Sequence, residues 1–329
     1  MNRRNENPPR ILAIALAVVG TSFISFAGWR SETLPALLAQ AEPAAVGIRW
    51  FHEERWQSEA AHTPADIVLL VHGLDEPGGI WDALAPELAQ AGHYVARFDY
   101  PNDQPVTDST DLLQAALPAL ASLGVERIRV VAHSMGGLVT RDLITRPKQQ
   151  GSPSVPLLIT LGTPHLGSPW ARWQPIAEAR EQIQRWAESP DLDPALLFGW
   201  NADGMGEAGD DLHPTSAFLK KLNGRPTPTT TRIVCVVAVV PDIPLNTPLT
   251  EIPEFARKLG DGVVPTDSAT LPGASRTILV RANHRSMVRP VEIGAWLRRT
   301  VGAAPPPMPP AIPHVLEELA GTQPSQTHP

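Results

Sequence analysis

Val130-Val131-Ala132-His133-Ser134-Met135-Gly136-Gly137-Leu138 joins an apolar run to a helical pattern through a serine set among small residues. Residues 128–132, apolar and mostly β-branched apart from Arg129, read as a buried strand; Leu138, Val139, Leu143 and Ile144 then recur at helical spacing. A tight strand-to-helix turn presents a serine hydroxyl free of crowding, which a nucleophile needs as much as it needs a base. Ala132 and Gly136 stand two residues either side of Ser134, where a longer side chain would collide as the backbone reverses, and Gly137 lets the helix approach the sheet. The plainer role for such a serine is a helix cap. The rest of the chain decides between the two.

Working outward, strand signals at 67–71, 94–100 and 128–132 alternate with helical signals at 81–90 and 109–123. That alternation predicts an α/β fold, a mostly parallel sheet with helices on both faces, and places active residues at the carboxyl ends of the strands. The chain of 329 residues is long enough for one large domain of this type. A net charge of −7 without any basic stripe argues against nucleic acid as the main partner. Neither a zinc-type Cys/His spacing nor a glycine loop with lysine for phosphate is present, so no cofactor is expected. Asp203, Glu207, Asp210 and Asp211 form an acidic cluster that lacks the spacing of a calcium loop; it reads as solvated loop, and no metal is expected. The sole cysteine, Cys235, lies in the apolar run 233–240 and reads as a buried thiol, compatible with an oxidising compartment without demanding one.

Ala132-His133-Ser134-Met135-Gly136 resembles the G-x-S-x-G nucleophile elbow of the α/β-hydrolase fold, with alanine in place of the first glycine. Upstream, residues 67–71 followed by His72-Gly73-Leu74 resemble the strand and His-Gly turn that precede the oxyanion hole in lipases and esterases of this fold. Downstream, the strand 158–161 with Gly162-Thr163-Pro164-His165-Leu166-Gly167 looks like the G-T-P-H-x-G turn of bacterial lipases. The resemblance spans roughly 67–297 and is to the α/β-hydrolase serine hydrolases of the bacterial lipase and esterase kind, triacylglycerol lipases among them. It implies a Ser-His-acid mechanism, with the backbone N–H groups of Leu74 and Met135 as oxyanion donors and serine, acid and histidine in that chain order. His72 and His133 are, by the same resemblance, loop-orienting residues.

Five histidines follow Ser134: His165, His213, His284, His314 and His328. His165 belongs to the G-T-P-H turn, His213 to an insertion, and His314 and His328 to a proline-rich tail too loose to hold a base. His284 follows the β-like run 276–282 and precedes the helical pattern 290–297, in the loop after the last strand where this fold puts its base. For the acid there are two candidates. Asp242 follows the apolar strand 233–240; Asp261 lies in Gly260-Asp261-Gly262-Val263-Val264, which resembles the D-G-[VL]-V turn carrying the acid in several bacterial lipase families. The resemblance favours Asp261, and Asp242 stays open.

The domain reading is 1–44, an export signal or N-terminal membrane anchor with linker; 45–302, the hydrolase domain; and 303–329, a Pro-rich disordered tail in which Val315, Leu316 and Leu319 could form a short helix. Arg3, Arg4 and Arg10 precede the apolar run 11–28, whose length sits between a cleaved signal and a spanning helix. Positive charge before the run puts the catalytic domain on the far side of a bacterial inner membrane: periplasmic, secreted, or anchored through 11–28. Between 168 and 231 the alternation breaks. Trp170, Trp173, Trp186, Phe198 and Trp200 make this insertion a candidate helical lid over an acyl pocket, or a segment packed onto the domain.

The expected activity is hydrolysis of a carboxylic ester, with an apolar acyl ester or lipid as substrate. Phospholipid or glycolipid deacylation, or acyl transfer, would use the same triad, and a non-catalytic binding protein on this fold is a further reading. No substrate-binding residue is legible.

Overall fold

The computed structural model describes residues 46–60, 64–74, 78–169, 207–240, 244–290 and 307–321. They fall in a compact unit beginning at Val46. The expectations for 1–44, for Asp242 and His328, for the tryptophan-rich part of the insertion at 170–206 and for the helix at 290–297 lie wholly or almost wholly outside the described residues. Among the described residues no helix is long and apolar enough to cross a membrane.

Eight strands form one sheet: β1 (Gly47–His52), β2 (Arg55–Gln57), β3 (Asp66–Val71), β4 (Val95–Asp99), β5 (Arg127–His133), β6 (Ser154–Leu161), β7 (Arg232–Val239) and β8 (Arg276–Arg281). Their spatial order is β2-β1-β4-β3-β5-β6-β7-β8. Strands β3 to β8 pair in parallel, while β1 joins β4 and β2 antiparallel at one edge. The described α-helices are α1 (Leu84–Gln90), α2 (Val106–Ser122), α3 (Met135–Thr145), α4 (Glu207–Asp211), α5 (Ala217–Asn223), α6 (Glu254–Leu259), α7 (Thr266–Ala269) and α8 (Ala311–Ala320).

Unbroken apolar runs in the strands follow from burial on both faces. In β3, Ile67, Leu69 and Val71 face a core shared with Leu113 and Leu120 of α2 and Leu138 of α3. Val68 and Leu70, one residue out of phase, face the opposite layer with Leu84 and Leu88 of α1 and Ile312, Val315 and Leu319 of α8. The period-2 alternation of a strand splits one hydrophobic run between two cores.

Helix α8 corrects the expected disordered tail over 307–321. Ile312, Val315 and Leu319 recur at helical spacing and are fully buried, each contributing roughly 1.5–3 kcal/mol. The buried Glu318 carboxylate takes Arg232 of β7 at 2.5 Å and Arg276 of β8 at 2.6 Å, and Arg129 of β5 donates to the Leu319 carbonyl. The prolines at 309 and 310 stand at the start of this helix, where a missing N–H costs little, rather than marking an extended tail. His314 is therefore carried on an ordered helix, where its Nδ1 lies 3.7 Å from Glu317.

The described part of the insertion is likewise packed. Leu212, Phe218, Leu219 and Leu222 are buried in the same core as α2 and α3. Ser216 caps α5, its Oγ accepting the Leu219 N–H at 3.1 Å. Within the acidic cluster, Asp211 accepts the Val106 N–H at 2.9 Å, tying α4 to the first turn of α2.

Candidate active site

Ser134 connects β5 to α3 with φ 52° and ψ −127°, a left-handed conformation costly for any side-chain-bearing residue and typical of a strained, functional turn. Its N–H is held by the Leu161 carbonyl of β6 at 2.9 Å. Three glycines surround the turn for a steric reason. A Cβ on Gly136 would run into the Val71 and His72 carbonyls, one on Gly137 into Thr163, and one on Gly73 would lie 2.6 Å from Ser134 Cβ and 3.2 Å from its Oγ. The Ser134 hydroxyl makes no cap hydrogen bond to α3. It is directed elsewhere.

His284 Nε2 lies 2.9 Å from Ser134 Oγ, and its Nδ1 lies 2.7 Å from Asp261 Oδ2. All three residues are buried, with Asp261 only 1% exposed. Since a carboxylate accepts, Nδ1 carries the proton and Nε2 presents its lone pair to the serine hydroxyl. The other oxygen of Asp261 accepts the N–H groups of Val263 at 2.9 Å and Val264 at 2.7 Å, which fixes the carboxylate plane. Glycines shape this loop: Gly260 and Gly262 have φ 55° and 93°, and a Cβ on Gly260 would strike the Val264 carbonyl. The His284 N–H donates to the Asp261 carbonyl at 3.1 Å, so backbone and side chain both join the pair.

The structure thus brings together the three residues singled out from sequence, and Met135 opens the helix beside them. Leu74 follows Gly73, which lies against the serine. His133 and His72 lie beside the same elements. His133 Nε2–H donates to the His284 carbonyl at 2.9 Å, its ring 4.7 Å from the His284 ring. His72 stacks on Tyr100 at 4.3 Å.

His165 is completely buried 5 residues beyond Thr160, whose Oγ1 lies 3.2 Å from its Nε2. Its Nδ1 takes a hydrogen bond from Arg141 at 3.3 Å, and Cys235 Sγ lies 3.7 Å from Nε2. Burial, and then the Arg141 guanidinium, hold this imidazole well below the ordinary histidine range. Burial also draws Arg141 down to about 10 and pushes the Cys235 thiol up. His213 is half-buried and paired with Thr215 at 2.9 Å. Among the described residues no group of three or more His, Cys, Asp or Glu side chains could hold a metal.

Sequence reasoning missed three contributors. Gly162, with φ 58°, passes beneath the Asp261 and His284 pair; a Cβ there would lie 3.1 Å from Asp261 Oδ2 and 3.2 Å from His284 Nδ1. Tyr100 and Asn102, at the exit of β4, donate to the carbonyls of His72 and Gly73. Their partners lie 28 and 29 residues away, and no local pattern signals such contacts.

A family model described as the alpha/beta hydrolase family matches residues 68–311. The chain belongs to that family. Within it the chain is lipase- and esterase-like: it is 30% identical over 158 residues to a triacylglycerol lipase of Burkholderia plantarii, a match covering 44% of this chain and 40% of that one. The chain spans less than half the length of the curated relatives it matches. Among solved structures, a metagenomic carboxyl esterase aligns with TM-score 0.52 at 19% identity, covering 85% of this chain and 80% of that one. Lipase 1 of Pelosinus fermentans aligns with TM-score 0.51 at 16% identity, covering 79% and 99%. At these identities the two structures speak for the fold.

Proposed function

We propose that this chain is a carboxylic ester hydrolase of the lipase and esterase type, cleaving an apolar acyl ester through an acyl-enzyme on Ser134. One observation carries the reading: a single imidazole, His284, bridges the Ser134 hydroxyl at 2.9 Å and the Asp261 carboxylate at 2.7 Å. Ser134 Oγ attacks the ester carbonyl carbon while its proton passes to His284 Nε2, and the carbonyl electrons move onto oxygen. Asp261 stabilises the imidazolium. The N–H groups of Leu74 and Met135 receive the oxyanion; Met135 heads a helix, whose first N–H groups lack intrahelical acceptors. Collapse of the tetrahedral intermediate expels the alcohol, which takes the proton from His284. Water then enters as the second nucleophile, His284 removes its proton, and the acid is released with Ser134 restored.

A fluorophosphonate probe tests the core of this proposal. Covalent labelling is expected on Ser134, located by peptide mapping, and an unlabelled folded chain would favour a binding protein instead. A series of esters of increasing acyl length, with and without a lipid interface and with an alcohol acceptor, then separates esterase, lipase, phospholipid or glycolipid deacylase and acyltransferase. The apolar run 11–28 behind Arg3, Arg4 and Arg10 supports export, with the catalytic domain outside the cytoplasm. Cell fractionation and N-terminal sequencing of the recovered protein test it; full-length chain in the cytoplasm would overturn it.

A further inference from the structure

We infer that Asn102, with His72, locks the peptide plane between Gly73 and Leu74 and so fixes the direction of the Leu74 N–H; Asn102 is a positioning residue for the oxyanion hole. The inference rests on the proposed ester hydrolase reading and names a part of that site which neither the motifs nor the relatives assign. The Gly73 carbonyl receives two donors, Asn102 Nδ2–H at 2.8 Å and His72 Nδ1–H at 2.9 Å. Because a carbonyl only accepts, His72 must carry its proton on Nδ1. In a planar trans peptide the C=O and the following N–H point in opposite directions. Holding the Gly73 oxygen toward Asn102 therefore turns the Leu74 N–H away from Asn102.

The preceding peptide is held in the same manner. Tyr100 donates its hydroxyl to the His72 carbonyl at 2.6 Å, and its ring stacks on the His72 ring at an interplanar angle of 20°. Two successive carbonyls are thus gripped by Tyr100 and Asn102, residues that leave β4 next to β3 in the sheet. Gly73 also packs so closely on Ser134 that no Cβ fits between them. That fit has a consequence for the backbone. Glycine is the residue whose flanking peptides rotate most freely, so the position that must be glycine to clear the nucleophile is also the one least able to hold its own peptide plane. A rotated plane would present the Gly73 carbonyl, rather than the Leu74 N–H, to a developing negative charge. The side chains of Asn102 and His72 supply the constraint that the backbone lacks.

Kinetics of the full chain test the lock. Asn102→Ala is expected to lower kcat about 10–100-fold, less than outright loss of an oxyanion donor, while KM for a short-chain ester stays level. Affinity for a trifluoromethyl ketone, which forms a tetrahedral adduct on Ser134, should fall by the same factor, and so should the rate of fluorophosphonate labelling. Affinity for a non-reactive ether analogue should not move. Asn102→Asp, nearly isosteric but unable to donate, should lose at least as much; Tyr100→Phe, which keeps the Asn102 donor, should lose less. The lock is overturned if folded Asn102→Ala and Asn102→Asp keep wild-type kcat and ketone affinity, or if thermal stability falls while ketone affinity holds. Should either fail to fold, Tyr100→Phe decides, and unchanged ketone affinity there would count against the lock. If the wild type labels at Ser134 yet hydrolyses no ester, the function reading falls and the lock is judged on labelling rates alone. If Ser134 does not label at all, both fall.

Discussion

Two buried histidines in this molecule follow parallel strands, each with a hydroxyl on Nε2, and differ in what faces Nδ1. His284, in the turn after β8, faces a carboxylate on one nitrogen and a serine hydroxyl on the other. His165, in the turn after β6, faces a guanidinium on one nitrogen and a hydroxyl and a thiol on the other. A carboxylate stabilises the imidazolium that forms when a base takes a proton; a guanidinium and full burial oppose it. The imidazole itself is the same in both places, and its neighbours decide whether it can act as a base. Asn223 tightens the second cluster, accepting from Arg141 at 3.0 Å and donating to the His165 carbonyl at 3.0 Å, so α3, α5 and the β6 turn meet there. The cluster braces α3, the helix that follows Ser134.

The contrast can be broken most severely at Ser134, the proposed nucleophile. Ser134→Ala is expected to cut ester turnover by about 10⁶-fold while circular dichroism and thermal midpoint stay near wild type. Retained turnover in the purified variant would remove Ser134 from the mechanism. Asp261→Asn keeps the size of the side chain but loses the charge and favours the wrong imidazole tautomer, so kcat should fall about 10⁴-fold. Asp242→Asn, made in parallel, should leave kcat where it was; the opposite pattern would transfer the acid's role to Asp242.

Smaller effects are expected at the second histidine. His165→Leu deprives Arg141 of a buried acceptor and should cost about 1–3 kcal/mol in chemical denaturation, with kcat/KM per folded molecule preserved. A loss of turnover out of proportion to the loss of stability would give His165 a direct part in the chemistry. The mildest test is acid. Both His165 and the buried His93 are held below their ordinary value of 6.5, chiefly by burial. Below about pH 6.5 the unfolded chain binds protons that the folded chain refuses, so stability is full above that pH and declines as pH falls. The slope contributed by each group is at most about 1.4 kcal/mol per pH unit, and His165→Leu should make the decline shallower. An unchanged slope in that variant would place the acid sensitivity elsewhere.

Part of the site was legible because its constraints are local. A strained turn needs small residues within two positions of Ser134, and a tight acid loop needs glycines beside Asp261, so both left a mark in adjacent letters. The alternation of strands and helices was legible for the same reason, since hydrophobic periodicity is written residue by residue. Helix α8 was obscured by prolines at its start and by a carboxylate at 318 that looks solvent-facing until Arg232 and Arg276 arrive from two strands.

Sequence alone determined the small-residue turn around Ser134 and the layered α/β architecture, while the order of serine, acid and histidine came with the family resemblance. Tertiary structure decided which of the histidines meets the serine across 150 residues and which is sealed against Arg141. It also decided how Tyr100 and Asn102 grip the loop beside Ser134. The physical reason is that backbone strain and periodicity are short-range properties of a chain. A hydrogen bond between side chains, by contrast, depends on which strands the sheet sets side by side, and the order β4-β3-β5-β6-β7-β8 is a property of the folded molecule.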